Sequence, residues 1–189
     1  NKTDLLDKTA LSEIEKTLDK ERKQEVRKRH SKGYRTAREN LEDLVDADSF
    51  VEYGQLAVAA QRDRLNADEL KLKSAADGVL TGLATINSGQ HGEKASQVAV
   101  IINDYTAMAG TQGFFHHKKI DRLIEIAKKL DLPVVMYTEG GGGRPGDIDV
   151  KTQIAGLDVS TFSSWAGLKG KNPLIVVNNA MIRTTPKPA

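Results

Sequence analysis

The sequence predicts an α/β domain that is preceded by a charged helical arm. Three apolar runs, at residues 98–102, 134–138 and 173–177, have the length and composition of buried strands. An amphipathic helix pattern lies between the first two runs. Strand, helix and strand in that order form a βαβ unit, whose crossover is expected to be right-handed. Charged residues make up 29% of the chain, and the first third holds much of that charge.

The bulk composition limits the classes of function. A length of 189 residues suits one domain with an arm, and a hydrophobic content of 39% is enough for a core. The net charge of +2 does not favour nucleic acid as a partner. The absence of cysteine excludes a disulfide framework, a thiolate zinc site and a cysteine nucleophile. No apolar run approaches the ~20 residues of a membrane helix, and the first residues lack the apolar core of a secretory signal.

Residues 1–47 form the arm and read as helical and polar. Ser12 and Glu15 have the spacing of a capping box. The dense charge run at 21–30 is typical of a solvated helix face with ion pairs between successive turns. Alternatively, some of its cations meet a phosphorylated ligand or an acidic partner. A second helix is expected over residues 34–44.

The middle of the chain predicts a hairpin that enters the core sheet. Strand structure begins at residues 50–53, whereas residues 55–75 are polar and ambiguous. The run at 79–86 alternates with the period of a strand, and a turn follows at 87–92. The continuous apolar run at 98–102 is typical of a strand that is buried on both faces.

The last third of the chain continues the α/β pattern. It predicts, in order, a helix over 114–130, a strand over 134–138, a helix over 154–168 and a strand over 173–177. The loops at 105–113 and 139–146 follow two of the strands. Because ligands in open α/β sheets bind at the carboxyl ends of strands, these two loops are the candidate site.

Both loops have the chemistry of an oxyanion site. Four glycines at 140–143 are followed by Arg144, and such a backbone can form an anion-binding concavity to which the arginine adds a fixed charge. Gly110 and Gly113 precede a helix N-terminus, which presents unpaired N–H groups to anions. The alternative is that both loops are ordinary surface turns.

Other site chemistries have little support. His116 and His117 are adjacent, so on a helix they point about 100° apart and do not chelate one metal ion together. The glycines match neither the P-loop nor the dinucleotide-binding pattern. No Ser-His-Asp arrangement can be defended from the spacing. No metal site is therefore expected.

Several segments, in order, resemble the carboxyltransferase (beta) component of biotin-dependent acyl-CoA carboxylases. They lie at residues 37–52, 76–86, 98–106, 110–113 with 118–120, and 140–144. The similarity runs from about Arg35 to Val177 and corresponds to the first of the two halves of that component. The tail at 179–189 does not resemble the family and is expected to be disordered.

The resemblance implies a crotonase-like fold, an incomplete spiral of ββα turns that binds acyl-CoA. In this family a carboxyl group passes from carboxybiotin to the α-carbon of the acyl-CoA, and backbone N–H groups stabilise the enolate. By resemblance, Ala109 and Gly110 are the expected backbone donors. The expected substrate-binding residues are Gly113, Gly140, Gly141, Gly142, Gly143, Arg144, Arg35 and Arg38, the last two as candidates for the CoA phosphates.

The resemblance also implies a cofactor, partners and a domain division. Biotin would be carried by a biotin carboxyl carrier or biotin carboxylase component, and the C-terminal carboxyltransferase half would complete the site in a homo-oligomer. The expected division is an arm at 1–47, a crotonase-like subdomain at 48–178 and a tail at 179–189. The expected location is the cytoplasm, or the mitochondrial matrix in a eukaryote. Two alternatives are a non-catalytic CoA-binding or assembly module, and an acyl-CoA hydratase, for which only Glu139 is a suitably placed carboxylate.

Overall fold

The computed structural model describes residues 2–149, 154–155 and 174–178. The helices are α1 (Lys2–Glu15), α2 (Lys23–His30), α3 (Ala37–Leu44), α4 (Ala67–Lys73), α5 (Ser88–His91) and α6 (Phe114–Leu130). The strands are β1 (Val51–Glu52), β2 (Val79–Thr85), β3 (Gln97–Asn103), β4 (Val134–Thr138), β5 (Ile148–Asp149), β6 (Ile154–Ala155) and β7 (Leu174–Asn178). No helix in these ranges is long and apolar enough to cross a membrane.

Five strands form the main sheet in the order β1-β2-β3-β4-β7. Strands β1, β2 and β3 pair antiparallel, which confirms the predicted hairpin. Strand β4 lies parallel to β3, with Ala99 opposite Val134, and β7 lies parallel to β4. Because β3 and β4 run the same way, the loops that follow them emerge at one edge of the sheet. A separate two-stranded ribbon pairs β5 with β6.

The core has two halves, one on each face of the sheet. On one face helix α6 packs Ile120, Leu123 and Ile124 against Ile101 and its neighbours. On the other face helix α3 buries Leu41 against a second set of strand side chains. Successive residues of β3 therefore alternate between two apolar layers, which explains why the run at 98–102 is continuously apolar and confirms its burial on both faces.

Two of the predicted local features are wrong. Helix α1 runs through Ser12 to Glu15, so Ser12 lies inside the helix and does not cap it. Complete capping boxes occur instead at Thr36 with Glu39 and at Asn66 with Glu69, where each side chain accepts from the other's backbone N–H. The second of these boxes starts α4 within the segment that the sequence left ambiguous.

The second error concerns the start of the helix predicted over 154–168. Ile154 and Ala155 pair with β5 as a strand, and the rest of that range lies outside the described residues. The predicted disordered tail at 179–189 also lies outside them. The domain boundaries stay a prediction, and in the structure α3 packs on the sheet rather than standing apart from it.

Candidate functional site

Two left-handed turns lie side by side at the carboxyl end of β3. Residues 76–78 have φ angles of 51°, 48° and 72°, and residues 108–110 have φ angles of 50°, 55° and 62°. Only glycine adopts this conformation readily, so the four non-glycine residues among them are strained. The turns lie close together, because a Cβ atom on Gly78 would lie 3.3 Å from the carbonyl oxygen of Ala107, the residue before the second turn. Strain of this kind is concentrated at functional sites, which makes this edge of the sheet the candidate site.

The glycine loop after β4 packs directly on the second of these turns. A Cβ atom on Gly110 would lie 2.5 Å from the carbonyl oxygen of Glu139, and one on Gly140 would lie 2.3 Å from the carbonyl oxygen of Gly110. The Gly141 N–H donates to the Ala109 carbonyl at 3.0 Å. Glycine is therefore needed at 110 and 140 because two backbones approach each other closely there.

The two loops form one wall of a cleft of about 740 Å³. Its lining residues are Arg29, Lys32, Tyr34, Asn103, Tyr105, Gly110, Gln112, Thr138, Glu139, Gly140 and Gly142. The volume lies within the range of roughly 300–1,000 Å³ that is usual for small-molecule sites. The cleft thus combines the ends of β3 and β4 with residues from α2 and the turn after it.

Backbone N–H groups remain available at this cleft. Within the described ranges, the N–H groups of Ala109, Gly140 and Gly142 have no hydrogen-bond acceptor. The Gly110 N–H donates to the Ala107 carbonyl at 3.0 Å. Gly110, one of the two predicted donors, is therefore not available in the structure, because its N–H is already hydrogen-bonded within the turn. The role of Ala109 stays a prediction.

Arg144 lies inside the protein rather than facing a ligand. Its guanidinium contacts the Asp77 carboxylate at 2.6 Å and the Asp147 carboxylate at 3.3 Å, and its Nε donates to Thr111 Oγ1 at 3.1 Å. Both carboxylates are fully buried. The sequence assigned the positive charge of Arg144 to an incoming anion. In the structure this charge is compensated by the carboxylates of Asp77 and Asp147 instead. Burial nevertheless raises the pKa of Asp77, with Arg144 opposing that shift.

The N–H groups at the N-terminus of α6 likewise bind carboxylates of the chain itself. The Phe114 N–H donates to the Asp147 carboxylate at 2.9 Å, and the His116 N–H donates to the Asp77 carboxylate at 2.8 Å. A Cβ atom on Gly113 would lie 2.1 Å from Asp147 Oδ2. The helix N-terminus does hold oxyanions, as its physics predicts, but they belong to the chain itself. Gly113 makes room for this network and does not line the cleft.

The two early arginines also differ from their predicted role. Arg35 donates to the Asp43 carboxylate at 2.8 Å, and Arg38 donates to the Glu52 carboxylate at 3.0 Å. Neither side chain lines the cleft. Lys32, which the sequence did not single out, is an exposed cation at the cleft. It is therefore the better-placed group for a phosphate.

The charge run at 21–30 is not the uniformly solvated face that its composition predicts. Arg22 and Arg29 are only 3% and 6% exposed. Arg22 pairs with Asp104 at 3.0 Å, and Arg29 makes a two-pronged pair with Glu139. The cations thus meet carboxylates of the same chain. No local sequence signal could identify these partners, because they lie far away along the chain.

A second cavity, of about 470 Å³, lies between the end of α1 and the segment that contains α4. Leu56, Leu65 and Leu70 contribute apolar side chains to its lining. Glu13 bridges to Lys71 at 2.6 Å and so joins α1 to α4 beside it. This cavity shares no lining residue with the cleft.

Curated relatives are similar in sequence to about 120 residues of this chain. The chain is 33% identical over 120 residues to the propionyl-CoA carboxylase beta chain of Saccharopolyspora erythraea, covering 63% of this chain and 20% of that one. It is 37% identical over 119 residues to the methylmalonyl-CoA carboxyltransferase 12S subunit of Propionibacterium freudenreichii, covering 63% and 21%. The chain spans about a fifth of the length of the curated relatives it matches.

Solved structures agree with this assignment. A single-chain, multi-domain long-chain acyl-CoA carboxylase superposes with a TM-score of 0.82 at 50% identity, over 89% of this chain and 16% of that one. Transcarboxylase 12S with methylmalonyl-CoA bound gives a TM-score of 0.57 at 26% identity, over 86% and 27%. These matches confirm the predicted crotonase-like α/β fold. Residues 28–167 match the family described as the carboxyl transferase domain, and the chain belongs to that family.

Proposed function

We propose that this chain forms part of an acyl-CoA carboxylase carboxyltransferase, which moves a carboxyl group from carboxybiotin to the α-carbon of an acyl-CoA. Support comes from the relatives, which are named for carboxyl transfer to or from acyl-CoA substrates. A structure that is 50% identical to this chain belongs to a long-chain acyl-CoA carboxylase. The substrate class is accordingly an acyl-CoA thioester.

The observation that carries the proposal is the pair of N–H groups at Gly140 and Gly142, which find no acceptor among the described residues and belong to residues that line the cleft. Removing a proton from the α-carbon of a thioester leaves the electron pair of the C–H bond behind, and the resulting enolate carries negative charge on the thioester oxygen. Positioned backbone donors stabilise such an oxyanion, and the loss of one donor typically costs on the order of 10²–10³ in rate. Ala109 is the third proposed donor, on the neighbouring turn. This chemistry needs neither a metal nor a cysteine.

Other residues of the cleft suit the remaining parts of the ligand. Lys32 would contact a CoA phosphate as a mobile point charge. Carboxybiotin, held by a biotin carboxyl carrier or biotin carboxylase component, would supply the carboxyl group. The rest of the carboxyltransferase would close the cleft from the other side. We further propose a homo-oligomer in the cytoplasm, since a homologous structure is described as a hexamer assembly.

Calorimetric titration of the purified chain with propionyl-CoA tests the proposal. The unmodified chain should bind, and Lys32→Met should weaken binding of both propionyl-CoA and free CoA about tenfold or more by removing a phosphate contact. Gly140→Ala should abolish binding, because its Cβ atom would push the glycine loop away from Gly110. Gly89→Ala is the matched control, since a Cβ atom there meets nothing within 4 Å.

The outcomes separate the candidate functions. A folded chain that binds neither propionyl-CoA nor CoA contradicts the proposed site. Binding by the chain, together with no carboxyl transfer once the remaining carboxyltransferase and a biotin-carrying component are added, would favour the non-catalytic CoA-binding module instead. Circular dichroism on each variant establishes that a loss of binding is not a loss of fold.

A further inference from the structure

Helix α2 is tied to the glycine loop by one buried ion pair. Arg29 Nη1 donates to Glu139 Oε1 at 2.7 Å, and its Nη2 donates to Glu139 Oε2. The two side chains are 6% and 9% exposed, and they lie 110 residues apart in the chain. A guanidinium is well suited to this two-pronged contact, because its fork matches the two carboxylate oxygens.

The rest of the Arg29 side chain is also held in place. Its Nε donates to the Arg35 carbonyl at 2.9 Å. The rings of Tyr34 and Tyr105 lie 4.8 Å and 5.3 Å from its guanidinium carbon, at the distances of cation–π contacts. Arg29 therefore has one orientation, in which it presents both Nη atoms to Glu139.

Glu139 transmits this constraint to the proposed oxyanion donors. Its carbonyl oxygen is in contact with Gly110, and the next residue along the chain is Gly140, whose N–H is one of the donors. Without Arg29 the Glu139 carboxylate would be buried and uncompensated, so the strand end would have to move to reach water. Such a movement would displace Gly140 from the turn at 108–110.

We infer that Arg29 is a positioning residue, which acts through Glu139 to hold the glycine loop in the geometry that binds the thioester oxygen. The identity of the ligand in this inference rests on the proposed function. The mechanical role of Arg29 in holding the glycine loop does not. The charged arm would thereby be part of the acyl site, although it supplies no group to the reacting atoms.

Two measurements on the full chain test this role. The first is amide hydrogen exchange of Gln112 and Gly141, whose N–H groups hold the two loops together. Arg29→Gln should accelerate their exchange at least tenfold and leave Ile124, in the centre of α6, unchanged. The second is the ratio of the dissociation constants for propionyl-CoA and free CoA. Arg29→Gln should weaken the binding of propionyl-CoA about tenfold and so erase the preference for the thioester. The affinity for free CoA should change little.

Matched variants make the test specific. Glu139→Gln should reproduce both effects, and the double variant should be no worse than either single one, because the pair acts as a unit. Arg29→Lys should fall between the original and Arg29→Gln and serves if the latter fails to fold. Arg27→Gln, on an exposed face of the same helix, should change neither measurement.

The inference is overturned if Arg29→Gln or Arg29→Lys leaves exchange at Gln112 and Gly141 unchanged, or if exchange rises equally throughout α6. Equal losses of affinity for propionyl-CoA and CoA would also overturn it. If the unmodified chain binds neither compound, the proposed function fails, and hydrogen exchange alone decides whether Arg29 positions the loop.

Discussion

The Asp147 carboxylate accepts a hydrogen bond from the backbone N–H of Phe114 at 2.9 Å, so the glycine loop caps the helix that precedes it in the chain. The same carboxylate contacts Arg144, which also pairs with Asp77. Three buried charges therefore join the turn before β2, the start of α6 and the loop after β4. This network lies behind the cleft and supports its wall.

Gly113 should be intolerant of any side chain. A Cβ atom there would lie 2.1 Å from Asp147 Oδ2 and 2.5 Å from Arg144 Nη1, so Gly113→Ala must displace a buried ion pair. We expect a loss of about 3 kcal/mol in the free energy of unfolding, measured by urea titration. Gly89→Ala should change it by no more than about 0.5 kcal/mol. Similar values for the two variants would show that the buried network is not required at this point.

Arg144→Met should lower the stability of the chain, whereas Lys32→Met should lower only its affinity for CoA. Removing Arg144 leaves two buried carboxylates uncompensated, so stability should fall by about 3–5 kcal/mol. Removing Lys32, which is exposed, should leave the melting temperature unchanged and weaken CoA binding. Thermal unfolding and calorimetry on the same samples provide the comparison. A stable Arg144→Met chain that has lost only CoA affinity would restore the role that the sequence suggested for this arginine.

Acid should destabilise the chain through His116. Burial lowers the pKa of His116 to about 3, so the native imidazole stays neutral while the unfolded one takes up a proton near pH 6.5. The unfolded state therefore binds more protons between pH 6.5 and 3, and stability falls as the pH drops through that window. The slope should be on the order of 1 kcal/mol per pH unit below pH 6.

Urea titrations between pH 7 and 5 test this slope, because ordinary carboxylates are ionised throughout that range. His116→Gln should flatten the profile. His91→Gln, at an exposed position, should retain it. His117, whose pKa burial also lowers, should contribute to the remaining slope. An unchanged profile in His116→Gln would rule out this group as its source.

The two capping boxes should differ in their contribution to stability. Thr36 is 1% exposed, and its hydroxyl also donates to the Asp19 carboxylate, whereas Asn66 is exposed. Thr36→Ala should cost about 1–2 kcal/mol, and Asn66→Ala about 0.5–1 kcal/mol because water replaces part of its contact. Chemical denaturation compares the two variants. A larger loss for Asn66→Ala would contradict the view that burial sets the cost of losing a cap.

Local patterns predicted most of the central sheet and its helix. The apolar runs at 98–102 and 134–138 and the stripe that includes Ile120 and Ile124 depend on backbone periodicity, which neighbouring residues determine. The capping box at Ser12 was predicted wrongly because the pattern also occurs inside a longer helix. The boxes at Thr36 and Asn66 carry the same pattern, and tertiary packing decided which ones start helices.

The sequence by itself determined the family, the βαβ order and the two loops that meet at the edge of the sheet. It also identified Gly110 and Gly140 as residues of those loops. Only the tertiary structure decided how the charges are used. Arg144 and Arg29 have the same chemistry as ligand-binding arginines, but each is paired with a buried carboxylate. Those partners are brought together by strand order and helix packing, and no local spacing encodes a contact such as that between Arg29 and Glu139, 110 residues apart.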